Sequence, residues 1–392
     1  MSSLISFFKR NTTEYFFTII GVFLGWRIIL SLVAFLAVAI VPLGSTDRFL
    51  GGGVENYLLA PLFYGWANFD GEHYLSISIF GYKNLEQAFF PLYPKLIDLL
   101  SSPFYSDIFS AIFSSTLIGL LISHLAFLMS LVLLYKLVRI DYSQKISLWT
   151  VLLLLSFPTS FYFASLYNES LFLFLAVASF YFARKKRWLL SALMAIFAST
   201  TRVFGILLLP ALALEAYQQK AALSKSFWLL FIPLGLLSYM YYQWTSVGDP
   251  LAFYNLQTLV GPQHQQGLIL FPQVVYRYIK MLLTLETANP LYQTVVLEFL
   301  TGVTFFLLPI YGFFKKIRLS YLLFALSGLL LPTLPGSFSS LPRYVIILFP
   351  SFLLLALFIT NIPKLFRYLI MLFFLGGLLV ETALFLRGYW VA

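Results

Sequence analysis

Asp70, Glu72, His73 and Glu86 fall within one stretch, Trp66 to Pro94, reading WANFDGEHYLSISIFGYKNLEQAFFPLYP. Each can accept a proton or hold a polar ligand, in a chain where charged residues make up only 10% of the composition. Asp70 and Glu72 form a D-x-E pair. In a soluble protein such a pair is usually a solvated turn; in an aromatic-rich stretch between apolar runs it reads as functional. A carboxylate so placed can act as a general base on an attacking hydroxyl. Asp70, Glu72 and His73 could also offer ligands to a divalent cation. No further histidine stands at ligand spacing, so the expectation is no metal. Residues 70–80 are expected to form a short helix with Asp70 near its N-terminus, where a carboxylate is stabilised. Helical spacing then sets Asp70, His73 and Tyr74 on one side.

The elements that must hold this stretch are apolar. The 392 residues are 60% hydrophobic and 19% aromatic, with mean hydropathy +0.89. A soluble domain would carry about 25% charged residues, so the composition indicates a polytopic membrane protein. The net charge of +10 does not point to nucleic acid, because the basic residues sit in small groups between apolar runs. The absence of cysteine excludes disulfides and thiolate metal sites. Lys9 and Arg10 precede an apolar run of span length, which reads as a first anchor rather than a cleaved signal.

Apolar runs at 15–43, 109–138, 146–163, 168–183, 188–201, 203–218, 226–245, 292–314, 319–336, 342–360 and 364–386 predict an all-α bundle of about 11 transmembrane helices, one integral membrane domain over 1–392. One set of alternate connections holds most of the lysine and arginine, including Arg184-Lys185-Lys186-Arg187, and is expected to be cytoplasmic. That puts the N-terminus inside and the first large loop, 44–107, outside. Gly51-Gly52-Gly53 reads as a joint within this loop. A second outer loop, 246–291, is polar, carries His264, and is a candidate lid. Several central segments are short: a 14-residue helix covers about 21 Å of a hydrocarbon core about 30 Å thick. The segment 188–218 is therefore expected to be a hairpin whose tip, Thr200-Thr201-Arg202, stops below the surface. Irregular backbone at that depth implies a cavity or a protein cover. We expect an outward-opening hollow with Arg202 and the 158–169 turn as its floor, roofed by 44–107.

Arg202 lies among apolar helices, where an arginine costs about 2.5–3.5 kcal/mol on insertion scales and needs a partner. Glu169 is the nearest candidate; the alternative is a phosphate clamp, since guanidinium binds phosphate through two donors. Arg343 has the same two readings. Tyr82, Tyr167, Tyr162, Tyr74 and Trp66 could stack on a sugar, although interfacial aromatics are common in any membrane protein. Pro91 and Pro94 set a rigid turn.

WANFDGEHY followed by GYKNLEQAFFPLYP resembles the first luminal loop of the PIG-V mannosyltransferase family, whose pattern is W-D-x-x-H-[FY], then G-Y, then A-F-F-P-x-x-P. Asp70, His73, Tyr74, Gly81, Tyr82, Ala88, Phe89, Phe90, Pro91 and Pro94 match, while Phe69 replaces the tryptophan usually beside the aspartate. The resemblance continues through FPTSFYFASLYNESLF, TTRVFG and LPRYVIILFP, in family order over nearly the whole chain. It implies a GT-C-type helical glycosyltransferase that takes a sugar, mannose foremost, from a polyprenyl or dolichyl phosphate on the non-cytoplasmic face. The acceptor would be a lipid-linked or envelope glycan, and the membrane the plasma membrane in a bacterium or the endoplasmic reticulum in a eukaryote. The resemblance further implies metal independence and a first-loop acid, Asp70, as catalytic base. Glu72, His73, Tyr82, Tyr167, Glu169, Arg202 and Arg343 are then the expected substrate-binding residues. Two rival readings are a GT-C enzyme of different donor or acceptor class, such as one moving phospholipid headgroups or whole oligosaccharides, and a transporter of lipid-linked glycans, which would call for paired broken helices in two similar halves; no such repeat is evident.

Overall fold

The computed structural model of the chain describes residues 2–44, 54–83, 85–256, 269–286 and 291–391. Gly51, Gly52, Gly53 and His264 lie outside them. Among the described residues every regular element is helical. In chain order these are α1 (Ser2–Ile40), α2 (Val54–Leu59), α3 (Pro61–Tyr64), α4 (Asp70–Phe80), α5 (Leu92–Ser101), α6 (Ile108–Val138) and α7 (Gln144–Ser156). There follow α8 (Glu169–Arg184), α9 (Trp188–Ser199), α10 (Leu208–Gln218), α11 (Leu223–Ser226), α12 (Leu234–Val247), α13 (Ala252–Asn255) and α14 (Phe271–Thr284). The last are α15 (Leu291–Phe314), α16 (Leu319–Leu330), α17 (Leu341–Val345), α18 (Phe349–Thr360) and α19 (Lys364–Leu386).

Two populations of helix make up the bundle. Five stretches are long and apolar enough to cross a membrane: Tyr15–Ile40, Ile108–Val138, Leu223–Val247, Tyr292–Phe314 and Lys364–Leu386. These carry apolar side chains outward, as Phe17, Ile28, Leu125 and Leu372 show. The others are shorter. Several expected spans are broken: 146–163 is α7 followed by a 3-10 turn at Ser160–Ala164, and 203–218 begins with a 3-10 turn at Val203–Leu207. The span expected at 342–360 is the five-residue α17 followed by α18. The protein is thus an all-α polytopic membrane protein that combines long spans with truncated helices.

α8 lies at the centre, with every side chain from Glu169 to Phe180 buried except Phe174. Aromatic rings fill the space around its start, Phe127 stacking on Phe163 at 4.2 Å and Phe161 meeting Phe385 at 5.0 Å. α9 runs back beside α8 and ends at the expected tip, Thr200-Thr201-Arg202. Gly205 closes this hairpin. A Cβ there would lie 2.3 Å from the backbone nitrogen of Ser199, so only glycine lets the two arms approach.

In the described part of the second segment, α14 is an amphipathic helix packed on α15, with Val274 and Tyr278 buried and Tyr276 and Leu283 exposed. Its apolar residues recur at helical spacing, which a reading for overall polarity passes over.

Candidate active site

Residues 65–70 are fixed from three sides. The Leu166 N–H donates to the Trp66 carbonyl at 2.8 Å, and the Asn68 side-chain amide donates to the carbonyl of Phe385 at 2.9 Å. The guanidinium of Arg27, from α1, lies over the Trp66 ring at 4.4 Å. Phe69 then adopts φ 59° and ψ −117°, a conformation that side chains other than glycine's resist. Tyr167 spans this kink: its hydroxyl donates to the Asn68 carbonyl at 2.8 Å and accepts from the Asp70 N–H at 3.2 Å. The strain costs about 1–3 kcal/mol and persists because its surroundings impose it. Its result is that Asp70 opens α4 with its carboxylate turned into the bundle.

That carboxylate begins an alternating chain of charge. Arg343 of α17 donates from Nη1 to Asp70 Oδ2 at 2.5 Å and from Nε to Glu169 Oε1 at 2.6 Å. Arg202 Nη1 lies 2.6 Å from the same Glu169 oxygen and donates to Asn168 Oδ1 at 2.8 Å. Arg343 also sits over the rings of Tyr167 and Tyr162, at 4.6 and 5.1 Å. Glu169 is fully buried, and its second oxygen, Oε2, has no hydrogen-bond partner among the described residues. Exposure differs sharply along this chain of charge. The side chains of Glu169, Arg343 and Arg202 are 0%, 8% and 10% exposed, whereas that of Asp70 is 27% exposed.

Five expected residues, Asp70, Tyr167, Glu169, Arg202 and Arg343, therefore converge. Three do not join them. His73 stacks on Phe89 at 4.8 Å and faces Glu86, its Nδ1 3.8 Å from Oε1, an ion-pair distance. Burial opposes a charged ring at His73, but Glu86, with Asp70 and Glu72 beyond it, outweighs burial and raises its pKa above the ordinary value. Burial would likewise raise Glu86, yet His73, the Ser76 hydroxyl and the Lys83 N–H, which donates to Oε2 at 2.7 Å, hold it below the usual carboxylate range. Tyr82 donates to the Phe89 carbonyl and packs on Tyr239 and Tyr242, fixing the FFPLYP turn to α12. Glu72 is half-buried on α4 and is not among the ion pairs of the Asp70 chain. Among the described residues no three His, Asp or Glu side chains converge as a cation site.

Four of the aromatic residues expected to stack on a sugar are enclosed in this structure. Trp66, Tyr74, Tyr162 and Tyr167 are each no more than 3% exposed, their ring faces covered by protein, so they line the frame and offer no face to a sugar. An apolar crevice of about 460 Å³ between α1 and α3, lined by residues such as Phe35, Val38 and Leu62, includes none of the site residues. Asn68 and Asn168, which aim the kink and Arg202, were not singled out by sequence; buried amides carry no cost signal as sharp as that of a charge in an apolar span.

A protein-family model described as Mannosyltransferase (PIG-V) matches residues 21–247, more than half of the chain, and that range holds Asp70, Tyr167, Glu169 and Arg202. No curated protein and no solved structure matches the chain significantly.

Proposed function

The chain belongs to the mannosyltransferase (PIG-V) family, and on that premise we propose that this membrane glycosyltransferase moves one mannose from a polyprenyl-phosphate carrier to a glycan acceptor with Asp70 as general base. The acceptor oxygen attacks the anomeric carbon as the bond from that carbon to the phosphate oxygen breaks. The hydroxyl proton passes to the Asp70 carboxylate, and the polyprenyl phosphate leaves with the bonding pair, inverting the anomeric centre. A phosphate leaves without acid help, so one carboxylate suffices where glycoside hydrolysis uses two. Arg343 aims the base, and the two guanidinium groups offset negative charge growing on the leaving phosphate. No metal enters this scheme. The site is assigned to the non-cytoplasmic side from the distribution of lysine and arginine.

The observation that carries this reading is the position of Asp70: the solvent-reaching end of an otherwise buried ion-pair chain, held there by a strained residue. The test is transfer of labelled mannose from polyprenyl phosphate by purified protein in lipid. Asp70→Asn should lower kcat by about 10²–10⁴-fold with donor binding retained. Full activity of that variant removes Asp70 as the base; translocation of the carrier without transfer would favour a transporter.

A further inference from the structure

Arg343 has a support that lies outside the site. Glu298 sits within the span α15 and is 5% exposed. One of its oxygens, Oε1, accepts from the Ser340 N–H at 3.0 Å, and the other, Oε2, accepts from the Tyr278 hydroxyl of α14 at 2.7 Å. Ser340 has φ 58°, in the left-handed region, and immediately precedes α17. Its carbonyl in turn accepts from the N–H groups of Arg343 and Tyr344, each at 3.1 Å. The Tyr278 hydroxyl also receives the Phe338 N–H at 3.1 Å, and its ring meets Phe338 at 4.8 Å. The turn 336–338 is further held by Arg277, which donates to the Gly336 carbonyl at 3.1 Å.

We infer that Glu298, braced by Tyr278, is a positioning residue for the transfer reaction: it holds the left-handed turn at Ser340 from which the helix bearing Arg343 starts. A carboxylate buried in an apolar span is costly, and it is retained where it does something an apolar residue cannot. Here it satisfies a backbone N–H at a residue whose conformation the chain would otherwise relax. Arg343 lies less than one helical turn beyond that point and divides its N–H groups between Asp70 and Glu169. A small rotation of α17 would therefore misaim both bonds. The brace also ties the site to α14. The inference rests on the proposed role of Asp70 and Arg343.

The experiment uses the full-length enzyme in lipid with labelled polyprenyl-phosphate mannose, and compares Glu298→Leu, Glu298→Gln and Tyr278→Phe. A displacement of about 1 Å at reacting groups can cost about 10²-fold, so Glu298→Leu should lower kcat by about 10–100-fold while the KM for donor stays within about twofold. Glu298→Gln keeps an acceptor for Ser340 and should restore most of kcat. Tyr278→Phe, which loses one hydrogen bond, should lower kcat by about fivefold. A raised KM with kcat unchanged, or wild-type kcat in Glu298→Leu, overturns the inference. Should Glu298→Leu fail to fold, Tyr278→Phe decides: wild-type kcat overturns, a reduced kcat at unchanged melting temperature supports. Asp70→Asn in parallel separates the two readings. If it stays active the proposed function fails; if it is inactive while the Glu298 and Tyr278 variants are fully active, only the positioning role fails.

Discussion

Glu169 presents a single oxygen to two guanidinium groups, and its burial makes that arrangement costly to disturb, since removing one member of a buried ion network strands the rest. Such charges are also what a sequence reveals best. Arg202 and Arg343 stand out because an arginine is expensive among apolar residues, Glu169 as the nearest partner for Arg202 and Asp70 by its place in an aromatic-rich loop, and the structure joins all four in one chain of contacts. Glu298 carries the same cost within the run 292–314, yet its partners are a backbone N–H and a tyrosine from another segment, which leave no pattern in residue types. His73 differs from these in that its neighbours are local. Its pKa is raised, so the stability it adds is fully present below the ordinary imidazole value and is lost as pH rises through the raised one. Glu86, with its pKa lowered, contributes above the ordinary carboxylate value and loses that contribution as pH falls through the lowered one. His73→Phe keeps the stack on Phe89 and removes the charge. The wild type should therefore melt higher than this variant mainly at about pH 5–6, between the two ordinary values, and the difference should fade toward alkaline pH. Because His73 is about half exposed, the pair is worth no more than about 1 kcal/mol. A melting difference that grows with pH would contradict the assignment.

Among the elements, the hairpin α9–α10 was legible because arithmetic forced it: basic residues at both ends of 188–218 require the chain to go and return within too few residues. The glycine that permits the turn was not, since sequence gives no distance between arms. A methyl at Gly205 must displace the α9 backbone at Ser199, not a flexible side chain. Gly205→Ala should therefore destabilise the protein by about 1–3 kcal/mol, the usual cost of overpacking, read as a lower melting temperature in detergent. It should also lower activity, because Arg202 sits at the displaced tip. An unchanged melting temperature would mean that the two arms part freely. α14 was missed for a different reason. Its overall polarity, GPQHQQG included, makes the segment read as a loop, whereas apolar residues at helical intervals bind α14 to α15.

For the molecule as a whole, the sidedness proposed rests on lysine and arginine alone, and the chain offers a clean way to test it. It contains no cysteine, so one introduced thiol reports one position. Lys95, on α5, is 63% exposed, and Arg187, between α8 and α9, is exposed as well. In intact cells a membrane-impermeant maleimide should label Lys95→Cys, and should reach Arg187→Cys only after permeabilisation; the reverse pattern would place the site on the cytoplasmic side. Fold class and the order of spans were readable at this scale because the bilayer dictates run length and backbone satisfaction. The breaks within the inner spans were not, because an apolar run reads alike whether it forms one helix or two.

The brevity of α9 carries a consequence for the surrounding lipid. Leu189, Leu193 and Phe197 form an outward stripe along it, 45%, 38% and 45% exposed, on a helix only about 18 Å long. Acyl chains bordering such a stripe would thin to match it, lowering the headgroup plane beside Thr200. On the proposed function, a lipid carrier drifting sideways in that leaflet would reach the hairpin tip that holds Arg202 with its headgroup already lowered toward the arginines.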